Sequence, residues 1–290
     1  MAVTKKPPWI KVKGPSEKCL NDMKDMLDSL NLHTVCESAI CPNVGTCFSK
    51  GTATFMILGD ICTRNCGFCS VKHGTPLPVD PEEPLHVAQA AKKLGLKHVV
   101  ITSVTRDDLP DGGAKQFADT IRRINRHLPD ASTDVLIPDV RGLKENLEIV
   151  TEAKPDILAH NLETVPSLYK TARQYSNYEI SLKILEWTKE IDPKIYTKSG
   201  IMLGLGETRE EVLCTMEDLR RVKCDFLTIG QYLRPTQKNV EIVEYIHPDI
   251  FTQYKEEGEK MGFRYVASSP FVRSSFHAEE ALEHIKENSS

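Results

Sequence analysis

Six of the nine cysteines in this 290-residue chain lie between positions 36 and 69, in two groups of three. Cys36, Cys41 and Cys47 are separated by four and five residues, and Cys62, Cys66 and Cys69 by three and two. Structural zinc sites normally take four protein ligands, often as two CxxC-like knuckles, so two isolated triplets fit zinc poorly. A cubane iron-sulfur cluster has four iron corners, and ordinary electron-transfer clusters cap every corner with a thiolate. A triplet leaves one iron open to a non-cysteine ligand or a substrate, which suggests chemistry at the cluster as well as electron storage.

Cys62-Thr-Arg-Asn-Cys66-Gly-Phe-Cys69 follows directly on a β-rich run, ATFMILGDI. The loop therefore sits at the end of a strand, where parallel sheets place their ligands. Further β-rich runs, HVVITS, VLIPD, DILAHN, YTKSGIMLG, DFLTIGQY and RYVAS, alternate with helical patterns near 84–95, 114–127, 143–153, 166–173, 178–190, 208–221 and 248–262. The helix near 178–190 carries Ile180, Ile184, Trp187 and Ile191 on one face. Such alternation predicts parallel strands with helical crossovers. About six units are too few for a closed eight-stranded barrel. An open, partial barrel and a doubly wound sheet both fit the periodicity.

Residues 1–50 read as an N-terminal extension: a Pro-rich start, an amphipathic helix near 16–30 with Met23, Met26, Leu27 and Leu30 at helical spacing, and an irregular loop from 36 to 50. Residues 51–250 form the α/β body and 251–290 a C-terminal extension. The formal charge of −4 gives no broad positive field for nucleic acid. No run approaches the roughly 20 apolar residues that span a bilayer, so no membrane partner is expected. The early lysines lead into prolines and more charge instead of the apolar core of a signal peptide, which makes a cytoplasmic, thiol-reducing setting the expectation and a disulfide framework a poor one. Cys19, Cys214 and Cys224 fall outside the triplets, where a small buried thiol is the default. The nine histidines show no HExxH or paired spacing.

The CxxxCxxC spacing, with Phe68 before the last cysteine, resembles the radical S-adenosylmethionine superfamily, whose open iron chelates the amino and carboxylate groups of that cofactor. Cys36-Glu-Ser-Ala-Ile-Cys41-Pro-Asn-Val-Gly-Thr-Cys47 resembles the N-terminal cysteine motif of lipoyl synthases. HNLETV at 160–165, TKSGIMLGLGET at 197–208, LTIGQYLRP at 227–235 and PFVRSSFHA at 270–278 look like segments of that family, so the resemblance spans nearly the whole chain after residue 35. Arg273-Ser274-Ser275-Phe276 resembles the family's RSSY motif, with phenylalanine in place of tyrosine. The family's second serine is the fourth ligand of an auxiliary cluster, and by position that is Ser275.

This resemblance implies an α/β fold, a partial parallel (β/α)6 barrel with both extensions covering its open mouth. It implies two 4Fe-4S clusters, an auxiliary one on Cys36, Cys41, Cys47 and Ser275 and a radical one on Cys62, Cys66 and Cys69, with catalytic parts for Ser275 and Arg273. Two S-adenosylmethionine molecules would yield 5'-deoxyadenosyl radicals that abstract hydrogen at C6 and C8 of a protein-bound octanoyl-lysine, and the auxiliary cluster would donate both sulfurs. Unactivated C–H bonds lie beyond side-chain acids and bases, which is why a radical suits them. The implied partners are an octanoylated lipoyl-carrier domain (the glycine cleavage H protein or a dehydrogenase E2 subunit), an electron donor such as flavodoxin or ferredoxin, and an iron-sulfur carrier that rebuilds the spent cluster.

GIMLGLGE at 200–207 reads either as a strand running through a Gly turn into a helix or as the superfamily's adenosine-lining segment, through its backbone and Gly204 more than through Met202 or Leu203. Asn161 and Glu163 read either as loop residues or as ribose or methionine contacts at the mouth. Phe68, Gln231 and Tyr232 complete the cofactor candidates. Arg173 and Arg234 are candidates for pairing a carboxylate. The competing readings are a biotin-synthase-like sulfur inserter, a two-cluster electron-transfer protein and a zinc-stabilised binding module.

Overall fold

The computed structural model describes residues 5–11, 17–49, 53–275, 280–282 and 284. The chain divides into two units, one of residues 12–64 and 70–158, the other of residues 1–11, 65–69 and 159–290.

In the first unit the helically spaced Met23, Met26 and Leu27 are the residues that α1 (Glu17–Ser29) buries. After β1 (His33–Thr34), two short helices, α2 (Val35–Ser38) and α3 (Val44–Ser49), occupy most of the stretch expected to be an irregular loop. Pro42 and Asn43 break the run between them, while Phe48 is buried and fixes α3. Burial of that ring outweighs the weak helix propensity of Cys, Gly, Thr and Ser, which is what the local sequence displays.

The parallel strands begin with β2 (Thr54–Ile57), followed by the two-residue β3 (Ile61–Cys62) and β4 (Lys72–His73). Then come α4 (Glu83–Lys93), β5 (His98–Ser103), α5 (Ala114–His127), β6 (Ser132–Leu136), α6 (Lys144–Thr151) and β7 (Ile157–Ala159). Strand β1 is antiparallel to β2, whereas β2–β5 and β5–β6 are parallel. All four residues of β2 are buried, the mark of a parallel strand covered on both faces. β6 starts three residues before VLIPD because the polar Thr133 and Asp134 are buried in it; the Asp156 carboxylate accepts the Thr133 N–H at 2.8 Å.

The second unit continues with α7 (Tyr169–Ala172), α8 (Tyr178–Ile191), β8 (Tyr196–Leu203), α9 (Arg209–Arg221), β9 (Phe226–Gln231), α10 (Pro248–Lys260) and β10 (Tyr265–Ser268). β8, β9 and β10 pair in parallel over a core that includes Leu185, Leu203, Met216, Leu227, Ile229, Phe251 and Val266. Local signals set the helix starts: the Asn177 side chain accepts the Ile180 N–H, Thr208 and Glu211 form a capping box, and Pro248 opens α10. α8 buries Ser181, Leu182, Ile184, Leu185 and Thr188, so its inner face is turned from the expected Ile180, Trp187 and Ile191, which are half-buried.

Six strand-helix pairs therefore follow in chain order, β2–α4, β5–α5, β6–α6, β7–α8, β8–α9 and β9–α10, as the alternation predicts. No helix among the described residues is long and apolar enough to cross a membrane.

Candidate functional site

The first triplet lies wholly in the first unit. Cys36 is buried on α2, and its carbonyl accepts the Cys41 N–H at 3.0 Å; the Cys47 N–H reaches the Asn43 carbonyl at 2.9 Å. Burial pushes the Cys36 thiol up to about 12, partly offset by the Thr54 backbone hydrogen bond, and charge on Cys41 and Cys47 pushes it further. The turns closed by those two backbone bonds hold the three cysteines within one short stretch of the first unit. A buried thiol such as that of Cys36 becomes thiolate when a cationic centre replaces the proton, which is the condition an iron cluster meets. No three His, Cys, Asp or Glu side chains among the described residues converge on a single ion. A cubane instead takes each thiolate on its own iron, so its ligands stand farther apart.

Cys62 closes β3, beyond the carboxyl end of β2. Its sulfur accepts backbone N–H groups from Arg64 at 3.4 Å and from Thr105, just past β5, at 3.3 Å. The Arg64 guanidinium forms two forks, one to Asp107 at 2.8 and 2.7 Å and one to Asp139, just past β6, at 2.6 and 2.9 Å. Burial works against the Arg64 charge, but the two carboxylates outweigh it and hold the guanidinium above its usual value.

In the second unit the Cys69 N–H donates to the Cys66 carbonyl at 3.0 Å, a single turn that sets the last two cysteines. The Gly67 N–H donates to the Gln174 side chain at 2.9 Å, and Asn239 Nδ2 donates to the Cys69 carbonyl at 2.7 Å. Phe68 packs into a cluster with Met202, Leu205, Tyr232 and Val240. The loop thus rests on the carboxyl ends of β8 and β9, and three of the predicted cofactor residues, Phe68, Met202 and Tyr232, come together. Burial raises the Tyr232 phenol to about 12, and its hydroxyl donates to the Val240 carbonyl at 2.9 Å.

Asn161 and Glu163 follow β7. Asn161 Nδ2 donates to Glu163 Oε1 at 3.0 Å and to Ser274 Oγ at 2.7 Å. Glu163 has φ +67°, a left-handed backbone that costs a non-glycine residue about 1 kcal/mol or more. Its N–H donates to the Gly200 carbonyl at 2.9 Å and its carbonyl accepts the Met202 N–H at 2.8 Å, so the strand ladder holds the strain. Burial raises the Glu163 carboxyl, while the charge of Arg173, the Asn161 amide and Arg273 lower it. Arg273 Nη1 donates to the Val272 carbonyl at 2.6 Å. Ser275 is half-buried, and its hydroxyl makes no hydrogen bond among the described residues. Phe276 lies outside the described residues.

Other candidates make hydrogen bonds to the scaffold. Gln231 donates from Nε2 to the Leu203, Tyr232 and Glu244 carbonyls and accepts the Ile246 N–H, which leaves its amide tied to backbone. Gly204 has φ +97°, and a Cβ there would meet Gln231 and the Glu244 carbonyl. Its N–H donates to Glu207 at 2.5 Å. Arg173 donates to Tyr169 Oη at 2.9 Å and Ser181 Oγ at 3.0 Å, with His160 at 3.3 Å. Arg234 is drawn to its own loop, donating to the Asn239 carbonyl at 2.8 Å. Cys224 is buried as expected, but Cys214 is exposed on the outer face of α9; the side chain of Cys19 lies outside the described residues. Sequence reasoning did not single out Arg64, Asp107, Asp139, Gln174, Asn239 or Ser274. Only Arg64 and Ser274, lying inside quoted motifs, carried a signal that could have found them.

A family model described as the radical SAM superfamily matches residues 56–219, and one described as the N-terminal domain of lipoyl synthase matches residues 2–41. The chain is 56% identical over 278 residues to a lipoyl synthase of Caldanaerobacter subterraneus subsp. tengcongensis, covering 96% of this chain and 97% of that one. It is 53% identical over 290 residues to a lipoyl synthase of Alkaliphilus metalliredigens, covering 100% of both. Among solved structures, Streptococcus suis SuiB bound to S-adenosylmethionine aligns with TM-score 0.58 at 14% identity over 87% of this chain and 60% of that one. Methylornithine synthase aligns with TM-score 0.56 at 12% identity over 81% and 80%. At those identities the likeness concerns the fold, and the fold is the α/β one expected. Joined to near-full-length identity above one half, it leaves a plain conclusion: the chain belongs to the lipoyl synthase family of the radical SAM superfamily.

Proposed function

We infer that this chain is a sulfurtransferase that inserts two sulfur atoms, at C6 and C8, into a protein-bound octanoyl-lysine. The observation that carries the reading is the Cys36, Cys41 and Cys47 triplet, set on two hydrogen-bonded turns, in a chain 56% identical to a lipoyl synthase. When bound, a cluster held by Cys62, Cys66 and Cys69 supplies the electron that cleaves S-adenosylmethionine, and a second held by Cys36, Cys41, Cys47 and Ser275 supplies the sulfur. Superfamily membership implies the first cluster and the cofactor; the second cluster, and hence the pair, is our proposal.

The chain's own residues have positioning tasks. Cys66 and Cys69 are set by the Gln174 and Asn239 contacts, and Phe68, Met202 and Tyr232 form an apolar wall beside them that keeps water from the cofactor. Asn161 and Glu163 are the polar groups at the carboxyl end of β7 suited to the ribose and the methionine end, and Arg173, which reaches the Leu162 carbonyl at 3.4 Å, stands beside them. Gly204 lets the backbone turn at the end of β8, and Gln231 braces it. The Asn161–Ser274 pair holds the Arg273–Ser275 segment, and Ser275, with no competing hydrogen bond among the described residues, has its oxygen available to iron.

The proposed partners are an octanoylated lipoyl-carrier domain, of the H-protein or E2 type, a flavodoxin or ferredoxin, and an iron-sulfur carrier, in a cytoplasmic setting. Residues 1–50 would deliver the auxiliary cysteines, 51–250 the radical site and 251–290 the serine. The test is anaerobic reconstitution followed by mass spectrometry with an octanoyl-lysyl peptide, excess S-adenosylmethionine and a low-potential reductant. A gain of two sulfurs with accumulation of 5'-deoxyadenosine supports the assignment. Deoxyadenosine with an unchanged peptide rejects the substrate.

A further inference from the structure

Arg64 lies between two ligand positions, and its contacts are too specific for a spacer. Five-donor guanidinium geometry is used on both sides, with Nε and Nη2 on Asp107 and Nη1 and Nη2 on Asp139. Arg64 and Asp139 are nearly buried, at 12% and 11% side-chain exposure, so neither group is an ordinary solvated surface charge. The two carboxylates come from the loops after β5 and β6. Thr63 adds to the same anchorage, its N–H and hydroxyl both reaching the Thr105 carbonyl at 3.0 Å. The consequence falls on one atom. Both N–H groups that face Cys62 Sγ belong to this assembly, one being the amide of Arg64 itself and the other that of Thr105, two residues before Asp107.

We propose that Arg64 is a positioning residue that sets the reduction potential of the cluster bound through Cys62, because its double fork fixes the two backbone donors to that sulfur. The inference rests on the reading of Cys62 as a cluster ligand. N–H donors withdraw electron density from a thiolate and stabilise the more negative, reduced cluster, so they raise its potential. Loosening them makes the cluster harder to reduce, without removing a ligand.

Two substitutions separate geometry from charge. Arg64→Lys keeps the positive charge but offers a point donor in place of two forks. Asp139→Asn removes a negative charge, which by field alone makes the cluster easier to reduce, whereas a slackened fork makes it harder. The measurement is an anaerobic redox titration of the reconstituted full-length chain, following the electron paramagnetic resonance signal that S-adenosylmethionine perturbs. The expected result is a shift to more negative potential in both variants. Unchanged potential in Arg64→Lys, or a positive shift in Asp139→Asn, overturns the proposal. A parent chain with no cofactor-perturbed signal instead overturns the assignment of the loop. Should a variant fail to retain iron, amide hydrogen exchange at Thr105 in the metal-free chain decides: faster exchange than in the parent supports the clamp, and equal protection contradicts it.

Discussion

Asn161 donates a hydrogen bond to Ser274 at 2.7 Å and so ties the end of β7 to the segment carrying Ser275. Gly200 lies against both side chains, since a Cβ there would stand 3.0 Å from Asn161 Oδ1 and from Ser274 Oγ. The first serine of the pair is thus a structural tether, and the second is the one proposed as the ligand. Ser274→Ala leaves the Asn161 amide short of a partner and is expected to cost about 1–2 kcal/mol of stability by thermal denaturation. Ser275→Ala is expected to cost little stability but to abolish sulfur insertion while S-adenosylmethionine cleavage persists. Full lipoyl formation by Ser275→Ala would remove Ser275 from the mechanism.

Glu163 makes stability depend on pH in a stated direction. Its carboxyl is raised by burial, with Asn161, Arg173 and Arg273 only partly compensating. The folded state therefore holds its proton more tightly than the unfolded chain. This contribution is fully present below the ordinary carboxylate range and is lost as pH rises through the folded value. Glu163→Gln, a neutral isostere that keeps the Asn161 contact, should flatten that part of the profile. Melting curves across mildly acidic to neutral pH check it, and an unaltered slope in the variant would count against the assignment.

Gly204 cannot take a side chain at low cost. With φ +97° and Gln231 and the Glu244 carbonyl packed against it, Gly204→Ala is expected to destabilise the fold by about 1–3 kcal/mol. Denaturant unfolding of the two proteins measures this directly. A neutral result would mean that the β8 turn relaxes.

Iron content should report the two triplets separately. Either Cys62→Ala or Cys36→Ala should lower reconstituted iron from about eight to about four per chain, each cubane holding four. Loss of all iron from either variant would argue for one shared centre.

Much of this was legible in the sequence because the signals were local. The α5 boundaries, Ala114–His127, follow from periodicity alone, and the cysteine spacings mark out the two triplets. What escaped was whatever depended on distant partners. Asp107 and Asp139 look like solvated loop acids until the fold brings them to Arg64. Gln231 braces carbonyls separated from it by up to 28 positions, a role that no local signal displays. The helices at 35–38 and 44–49 were hidden for the same reason, since the burial of Cys36 and Phe48 comes from tertiary packing. The exposed Cys214 shows the opposite error, a thiol expected to be buried because that is the default outside the triplets.

The most direct test is a single turnover by protein whose clusters were built with heavy-isotope sulfide, given an octanoyl-lysyl peptide and unlabelled sulfide in solution. Both sulfurs of the product should carry the label, because the chain is its own sulfur source. A product bearing unlabelled sulfur would contradict that claim.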